Sequence, residues 1–209
     1  MTSDPAYEAS TKAKNQVGSG NAEGAVQTLE NYLATDPHNN KLRLQLANII
    51  FYELKDFDYA MMQLDAILDI DPDYTDALIA QVTILGEYKK YNKETDAKYR
   101  HLLEIAPSAD MYHAYARFLR YQMTDFRQSG EYFERAIAAA PDRYEYRQNY
   151  CGLLLNDLKD YVKAKEQLEV LMEMRPGDVM VRNNYDRLMR TKFDKDGNPK
   201  KRLSLFKRH

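Results

Sequence analysis

Tryptophan is absent from this 209-residue chain, and cysteine occurs once, at Cys151. One cysteine excludes an internal disulfide, and with it the small secreted scaffolds that cross-links hold together; it fits a reducing compartment. Glycine and proline are scarce, 8 and 7 residues, too few for an all-β protein made of many tight turns. No apolar run approaches the ~20 residues needed to span a bilayer. The opening MTSDPAYEAS lacks the basic start and apolar core of a secretory leader. The expected compartment is therefore the cytoplasm, or the periplasm or exterior if a leader has been removed.

Catalytic equipment is equally thin. His38, His101, His113 and His209 form no HExxH or other close pair, which argues against zinc. Cys151 falls on the interior-facing side of a helical pattern, where a small packed hydrophobe is the ordinary role. There is no Gly-rich phosphate loop. DKDGNP at 194–199 has part of the spacing of a calcium loop, but Leu205 stands where the closing Glu belongs, so it reads as a tight turn. The expectation is a protein that is not an enzyme and uses no cofactor or metal.

What the chain does have is charge, a helical pattern and a ruler. It is 44% hydrophobic and 30% charged with a formal net charge of −2, the composition of a soluble globular protein. Pro37, Pro72, Pro107, Pro141 and Pro176 stand at spacings of 35, 35, 34 and 35 residues. A fixed period of this length marks an internal repeat. Twelve residues before each proline stand Ala25, Ala60, Thr95, Ser129 and Ala164, all small. Eight before stand Leu29, Leu64, Tyr99, Phe133 and Leu168; four before stand Leu33, Leu68, Leu103, Ile137 and Met172. Small, large and large at intervals of four line one helix face. Upstream, each period carries a second helical pattern, as in Leu42, Leu46, Ala47, Ile50, Phe51 and Leu54, followed by a polar break such as KDF at 55–57 or KDY at 159–161. In LDAILDIDPDYTDAL, residues 64–78, the proline ends one helix at about Asp71, and Leu78 begins the next pattern.

Period, small residue in the second helix, aromatic after the internal turn (Phe57, Phe126, Tyr161) and closing proline together resemble the tetratricopeptide repeat family over roughly residues 6–176. The resemblance implies an all-α, right-handed α-solenoid of about five helix-turn-helix repeats, at approximately 6–39, 40–74, 75–108, 109–143 and 144–177. A capping helix at 178–191 completes an array over 1–191, with Val181, Tyr185 and Leu188 on one side and Arg182, Asp186 and Arg187 elsewhere. The third repeat departs from the family pattern with Thr95 in place of alanine. The fourth shows a longer internal turn, RYQMTDF, and a first helix starting one residue early. The first, with Ala13, Gly18 and Gly20, is poor in large apolar residues and is expected to pack loosely. Stability in such an array is a sum over repeats and their neighbours, so Leu64→Asp should damage it far more than a surface change.

The family's first helices line a concave groove that grips a peptide or helix of another protein. The resemblance carries that face onto Gln45, Ile49 and Tyr52, then Ala80, Ile84 and Tyr88, then His113, Arg117 and Tyr121. Tyr146, Asn149 and Asn156 follow, then Asn184 and Thr191. Tyrosine suits peptide recognition through its contact area and polar tip, and Asn can hold backbone amides; the plainer alternative is that these tyrosines pack between helices. The branch of the family that clamps the C-terminal carboxylate of heat-shock chaperones does not fit. Its positions read Ser10, Lys14, Gln45, Ile49, Ala77 and Gln81, without the basic residues of the third repeat. The expected role is a scaffold, adaptor or chaperone-like assembly factor with a protein partner, and self-association is a further option.

Residues 192–209, KFDKDGNPKKRLSLFKRH, carry seven Lys/Arg against two Asp, net +5. Phe193 before the turn, with Leu203, Leu205 and Phe206 after it, suggests a short β-hairpin or a segment docking by its apolar side. Lys200, Lys201, Arg202 and Phe206 are its candidate contacts. A tail of this charge can tether the array to nucleic acid or an anionic membrane, but a solvated or self-docked tail is the favoured reading over either.

Overall fold

In the computed structural model, residues 4–88 and 91–200 are described; Lys201, Arg202 and Phe206 of the tail lie outside them. The chain divides into two compact units, Met1–Ala106 and Pro107–His209. The N-terminal unit holds α1 (Pro5–Gly18), α2 (Ala22–Leu33), α3 (Asn40–Ile49), α4 (Phe57–Leu68), α5 (Thr75–Leu85) and α6 (Asn92–Ile105). The C-terminal unit holds α7 (Ala109–Phe118), α8 (Phe126–Ala139), α9 (Tyr144–Leu153), α10 (Tyr161–Met174) and α11 (Val179–Lys192). Within each unit, helices pair in chain order and each pair packs on the next, the stacked arrangement of an α-solenoid.

One turn geometry recurs inside the pairs. Helices α3, α7 and α9 each continue into a widened turn, Ile50–Leu54, Leu119–Met123 and Leu154–Leu158. Each is closed by a residue in the left-handed region: Lys55 at φ 60°, Thr124 at 54° and Lys159 at 56°. An aspartate then caps the second helix: Asp56 accepts from Tyr59 N at 3.0 Å, Asp125 from Gln128 N at 3.0 Å and Asp160 from Lys163 N at 3.1 Å. In the first pair Gly20, at φ 79°, takes the left-handed position and Asn21 caps, accepting from Gly24 N at 2.9 Å.

The internal turn of the fourth repeat is therefore not longer than the others: RYQMTDF is helical to Met123. The residue missing from the 34-residue spacing lies between repeats instead. Helix α7 starts two residues after Pro107, behind the cap Ser108, whereas α3, α5 and α9 start three residues after their prolines. The third repeat is the exception in kind. Among the described residues its first helix ends at Leu85 without continuing into a widened turn, and Tyr91 occupies the cap position of α6 without a side-chain capping bond. At the proline joint opening the third repeat, α4 runs to Leu68: Ile70 N makes a tighter i→i−3 bond to Ile67 O at 3.2 Å, and Asp71 N makes the last i→i−4 bond, to the same carbonyl at 2.9 Å, just before Pro72.

The small positions Ala25, Ala60, Thr95, Ser129 and Ala164 are all fully buried, and the next positions Leu29, Leu64, Tyr99, Phe133 and Leu168 nearly so. The two hydroxyls among the small residues are satisfied by carbonyls, Ser129 donating to Ala116 O at 2.8 Å and Thr95 to Tyr91 O at 2.9 Å. The third rank differs from expectation. Leu68, Leu103, Ile137 and Met172 are only half-buried, while their predecessors Ile67, Leu102, Ala136 and Leu171 are buried. At about 100° per residue, a step of seven returns to within about 20° of the starting direction and a step of eight overshoots by about 80°. In α1 the fully buried residue is Ala13.

Many of the seventeen tyrosines prove structural. Tyr150 of α9 donates to Glu134 of α8, and Tyr185 of α11 to Glu169 of α10 at 3.0 Å. At the same repeat position in α5, Gln81 Nε2 donates to Asp65 of α4 at 2.6 Å. Tyr59 of α4 reaches Glu30 of α2, and Tyr144 of α9 donates to Asp178 at 2.6 Å. Within each unit these bonds tie one repeat to the next through a charged acceptor. After α11 the tail makes a tight loop, with Gly197 at φ 81° and Asp194 Oδ1 accepting from Asp196 N and Asn198 N at 3.0 and 2.8 Å. Among the described residues one antiparallel bridge, Phe193 with Pro199, falls in the suggested hairpin, whose Leu203, Leu205 and Phe206 lie outside them; Phe193 is buried against the C-terminal core.

Candidate functional site

Among the described residues, each unit has a cleft between successive first helices. In the N-terminal unit a cleft of about 390 Å³ runs between α1 and α3. Ser10 and Gln45 hold its walls together: Ser10 Oγ donates to Gln45 Oε1 at 2.7 Å, and Gln45 Nε2 donates to Ser10 O at 3.2 Å. Val17, Leu44 and Ile49 give it an apolar lining, Lys14 and Lys41 stand on its rim, and no Asp or Glu lines it. The expected Gln45 and Ile49 thus meet here, with Ile49 largely buried. Tyr52 sits in the widened turn beyond the cleft, 46% exposed, its ring edge-on to Phe51.

Two expected groove residues of the third repeat are placed otherwise. Ile84 is buried in the core of its unit and offers no surface. Tyr88 lies past the end of α5, its ring edge-on to Phe57 with centroids 4.9 Å apart, so it covers the turn of the second repeat rather than lining a first helix. The chain leaves α5 at Gly86, and Tyr91 rather than an aspartate stands at the cap of α6. Ala80 remains half-buried on α5.

In the C-terminal unit, His113, Tyr146 and Asn149 come together on α7 and α9. His113 stacks on Tyr146 with centroids 4.4 Å apart, and Asn149 Nδ2 donates to His113 Nε2 at 2.9 Å. Tyr146 donates to Asp110, which also meets Arg143 at 3.0 Å. Burial holds the His113 imidazole below its usual range, so the neutral ring is favoured. Both His113 and Tyr146 are buried, so this cluster is a joint between repeats and its two rings do not face a ligand. Arg117 and Tyr121 remain exposed nearby.

The repeat pattern does not single out Arg120. Its Nε donates to Asp157 Oδ2 at 2.7 Å and its Nη1 to Tyr121 Oη at 3.1 Å and Asn149 O at 3.3 Å, with the side chain only 10% exposed. A Cβ on Gly152 would stand 3.2 Å from that Nη1. Glycine in the interior of a helical run was the available signal for a group packed closely against it.

A second, narrower cleft of about 140 Å³ lies between α9 and α11. Asn156 and Asn184 meet at it, joined by Gln148 and Arg187, over a floor of Leu168, Leu171 and Val181. Cys151 belongs to this floor; burial pushes its thiol up to about 12, and its Sγ faces Ala164 O at 3.9 Å. Such a thiol is a poor nucleophile. Thr191 donates to Arg187 O at 2.7 Å, outside the cleft, and Lys200 Nζ donates to Arg190 O at 2.8 Å. Among the described residues, no group of three or more His, Cys, Asp or Glu could hold a metal ion, and no helix is long and apolar enough to cross a membrane.

Residues 16–82 match the model of a family described as tetratricopeptide repeat. A comparison with curated proteins gives no match. Among solved structures, the chain is similar to MamA (residues 41 to the end) from Desulfovibrio magneticus RS-1, at 18% identity over 86% of this chain and 99% of that one, TM-score 0.70. It is also similar to a tetratricopeptide repeat protein from Parabacteroides merdae, at 15% identity over 88% and 72%, TM-score 0.71. A third is YrrB, described as a TPR protein with an unusual peptide-binding site, at 16% identity over 79% and 84%, TM-score 0.63. At these identities the likeness is one of fold.

Proposed function

Because residues 16–82 match the tetratricopeptide repeat family and the chain shares the fold of such proteins, we propose that it works without catalysis, as a scaffold, adaptor or chaperone-like assembly factor holding a peptide or helix of another protein against its first helices. The observation that carries the reading is the cleft between α1 and α3, where an apolar lining lies between two lysines with no carboxylate on its walls. A partner helix or extended segment can bury apolar side chains there and place acidic groups beside Lys14 and Lys41. YrrB, whose peptide-binding site is named in its description, gives the same fold a precedent for such a ligand.

The test is capture of partners from native lysate by the wild type and by the Lys14→Glu/Lys41→Glu double variant, with thermal unfolding measured on both. The reading expects capture to fall by roughly tenfold or more, worth about 1.4 kcal/mol, with the unfolding midpoint nearly unchanged, since both lysines are exposed. Equal capture by the two proteins would remove this cleft from the account.

The net +5 of residues 192–209 supports a second reading, a tether to nucleic acid or an anionic membrane. Phosphate-driven binding is steeply salt-dependent. Deleting 201–209 keeps Phe193 in place; unchanged binding to RNA and to anionic vesicles at low and high salt would dismiss this reading.

A further inference from the structure

The cleft between α9 and α11 has its own chemistry. Its 140 Å³ falls well short of the ~300–1,000 Å³ that takes a whole small-molecule ligand; it equals the volume of roughly four or five waters, the size of one branched aliphatic side chain. The floor is apolar, made of Leu168, Leu171 and Val181 with the uncharged thiol of Cys151. The mouth is polar. Among the described residues, the amides of Gln148 and Asn156 are not engaged by any other side chain, and Asn184 Oδ1 accepts only a long bond from Arg187, 3.4 Å. No Asp or Glu lines the cleft, so the Arg187 guanidinium is uncompensated there.

We infer that this cleft is a single-residue specificity pocket for an extended peptide, taking a Leu-, Ile- or Met-sized side chain on the floor and a carboxylate one or two residues away on Arg187. Each free amide supplies one donor and one acceptor group, the complement of a peptide's N–H and C=O. Gln148 and Asn156 on one wall and Asn184 on the other therefore hold the ligand backbone on both sides of the inserted side chain. Arg187 meets the carboxylate in a charge-assisted pair, and this field rejects a Lys or Arg at the neighbouring position. The inference rests on the peptide-binding reading and adds the chemistry of the ligand.

The test uses the full chain and a random library of seven-residue peptides, displayed with free and with amidated C-termini. Enriched peptides are expected to carry an aliphatic residue followed within two positions by Asp, Glu or the free terminus. Arg187→Glu should weaken them about tenfold and turn the flanking preference towards Lys and Arg. Asn156→Ala should weaken binding without changing that preference. Because Cys151 is the chain's one thiol, a bound peptide should also slow its modification by methyl methanethiosulfonate. Arg187 and Asn156 are exposed, so both variants are expected to keep the parent's unfolding midpoint; a variant that does not is replaced by Asn184→Ala in the same comparison. Peptides that respond to Lys14→Glu/Lys41→Glu, are indifferent to Arg187→Glu and leave Cys151 unprotected would overturn the inference and leave the wider reading standing. A library that yields no binder would overturn both.

Discussion

At the scale of single residues, the least expected feature is the left-handed backbone at Lys55, Thr124 and Lys159, none of them glycine. A left-handed L-residue costs roughly 1–2 kcal/mol, and the β-branched Thr124 is the most constrained of the three. Each is held because the widened turn and the aspartate cap on either side determine the backbone between them. Thr124→Gly should therefore stabilise the protein, by about 1 kcal/mol once the added freedom of the unfolded chain is deducted. The denaturant midpoint should rise with an unchanged slope; a fall would mean that the threonine hydroxyl, donating to Met123 O at 2.7 Å, contributes more than the strain costs. The KDF, TDF and KDY motifs announced a turn. Only Gly20, at the corresponding place in the first repeat, hinted at its handedness.

At the scale of helices, the proline ruler located all five second helices, and the small and first large residues named their buried face. The inner edge of that face was misread by one residue, because an interval of four drifts off the helix face where an interval of seven returns to it. Two glycines allow a paired test of how closely the helices meet. A Cβ on Gly130 of α8 would find Leu158 Cδ1 at 3.6 Å and Leu153 Cδ2 at 3.8 Å, ordinary contact distances, whereas a Cβ on Gly152 of α9 meets Arg120 Nη1 at 3.2 Å. Gly130→Ala should gain about 1 kcal/mol from helix propensity and the added methyl. Gly152→Ala should gain less, and should recover its full gain in an Arg120→Ala background, where the guanidinium is gone. Equal gains at Gly152 with and without Arg120 would show that the guanidinium yields without cost.

At the scale of the whole molecule, the tyrosine–carboxylate bonds between helices make stability depend on alkaline pH. Burial, then the hydrogen bond and charge of Glu30, pushes Tyr59 up to about 12; burial and Asp178 do the same to Tyr144, again to about 12. Burial and Glu134 drive Tyr150 up further. These phenols ionise near 10 in the unfolded chain, so above that pH the unfolded state binds fewer protons than the folded one. Stability is then full below about pH 10 and declines as pH rises towards 12. Phenolate absorbance should appear in two waves, exposed tyrosines first, and Glu30→Gln should lower the Tyr59 midpoint while burial keeps it in the second wave. A single wave near 10 would dissolve the proposed coupling. The acid limb has the opposite sign. The Tyr144 hydrogen bond holds Asp178 below its usual carboxylate range, and although burial raises Glu134, bonds from Lys163 and Tyr150 bring it below its own. The stability these groups contribute is present at neutral pH and is lost as the pH falls through their lowered values.

The period, the helix pairing and the buried small residues were determined by sequence alone, since proline punctuation and 3.6-residue periodicity act locally along the chain. The same periodicity set Gln45 and Ile49 on one helix face, whereas the meeting of Asn156 with Asn184 across two helices is tertiary. What only the tertiary structure decided is which polar side chains turn inward. Tyr146 and His113 carry the same pattern as a surface pair, but Asp110 and Asn149, each more than thirty residues away from its partner, draw them into a joint between repeats. Periodicity places a residue on a helix face. Whether that face meets water or another repeat depends on the partner that satisfies its polar atoms.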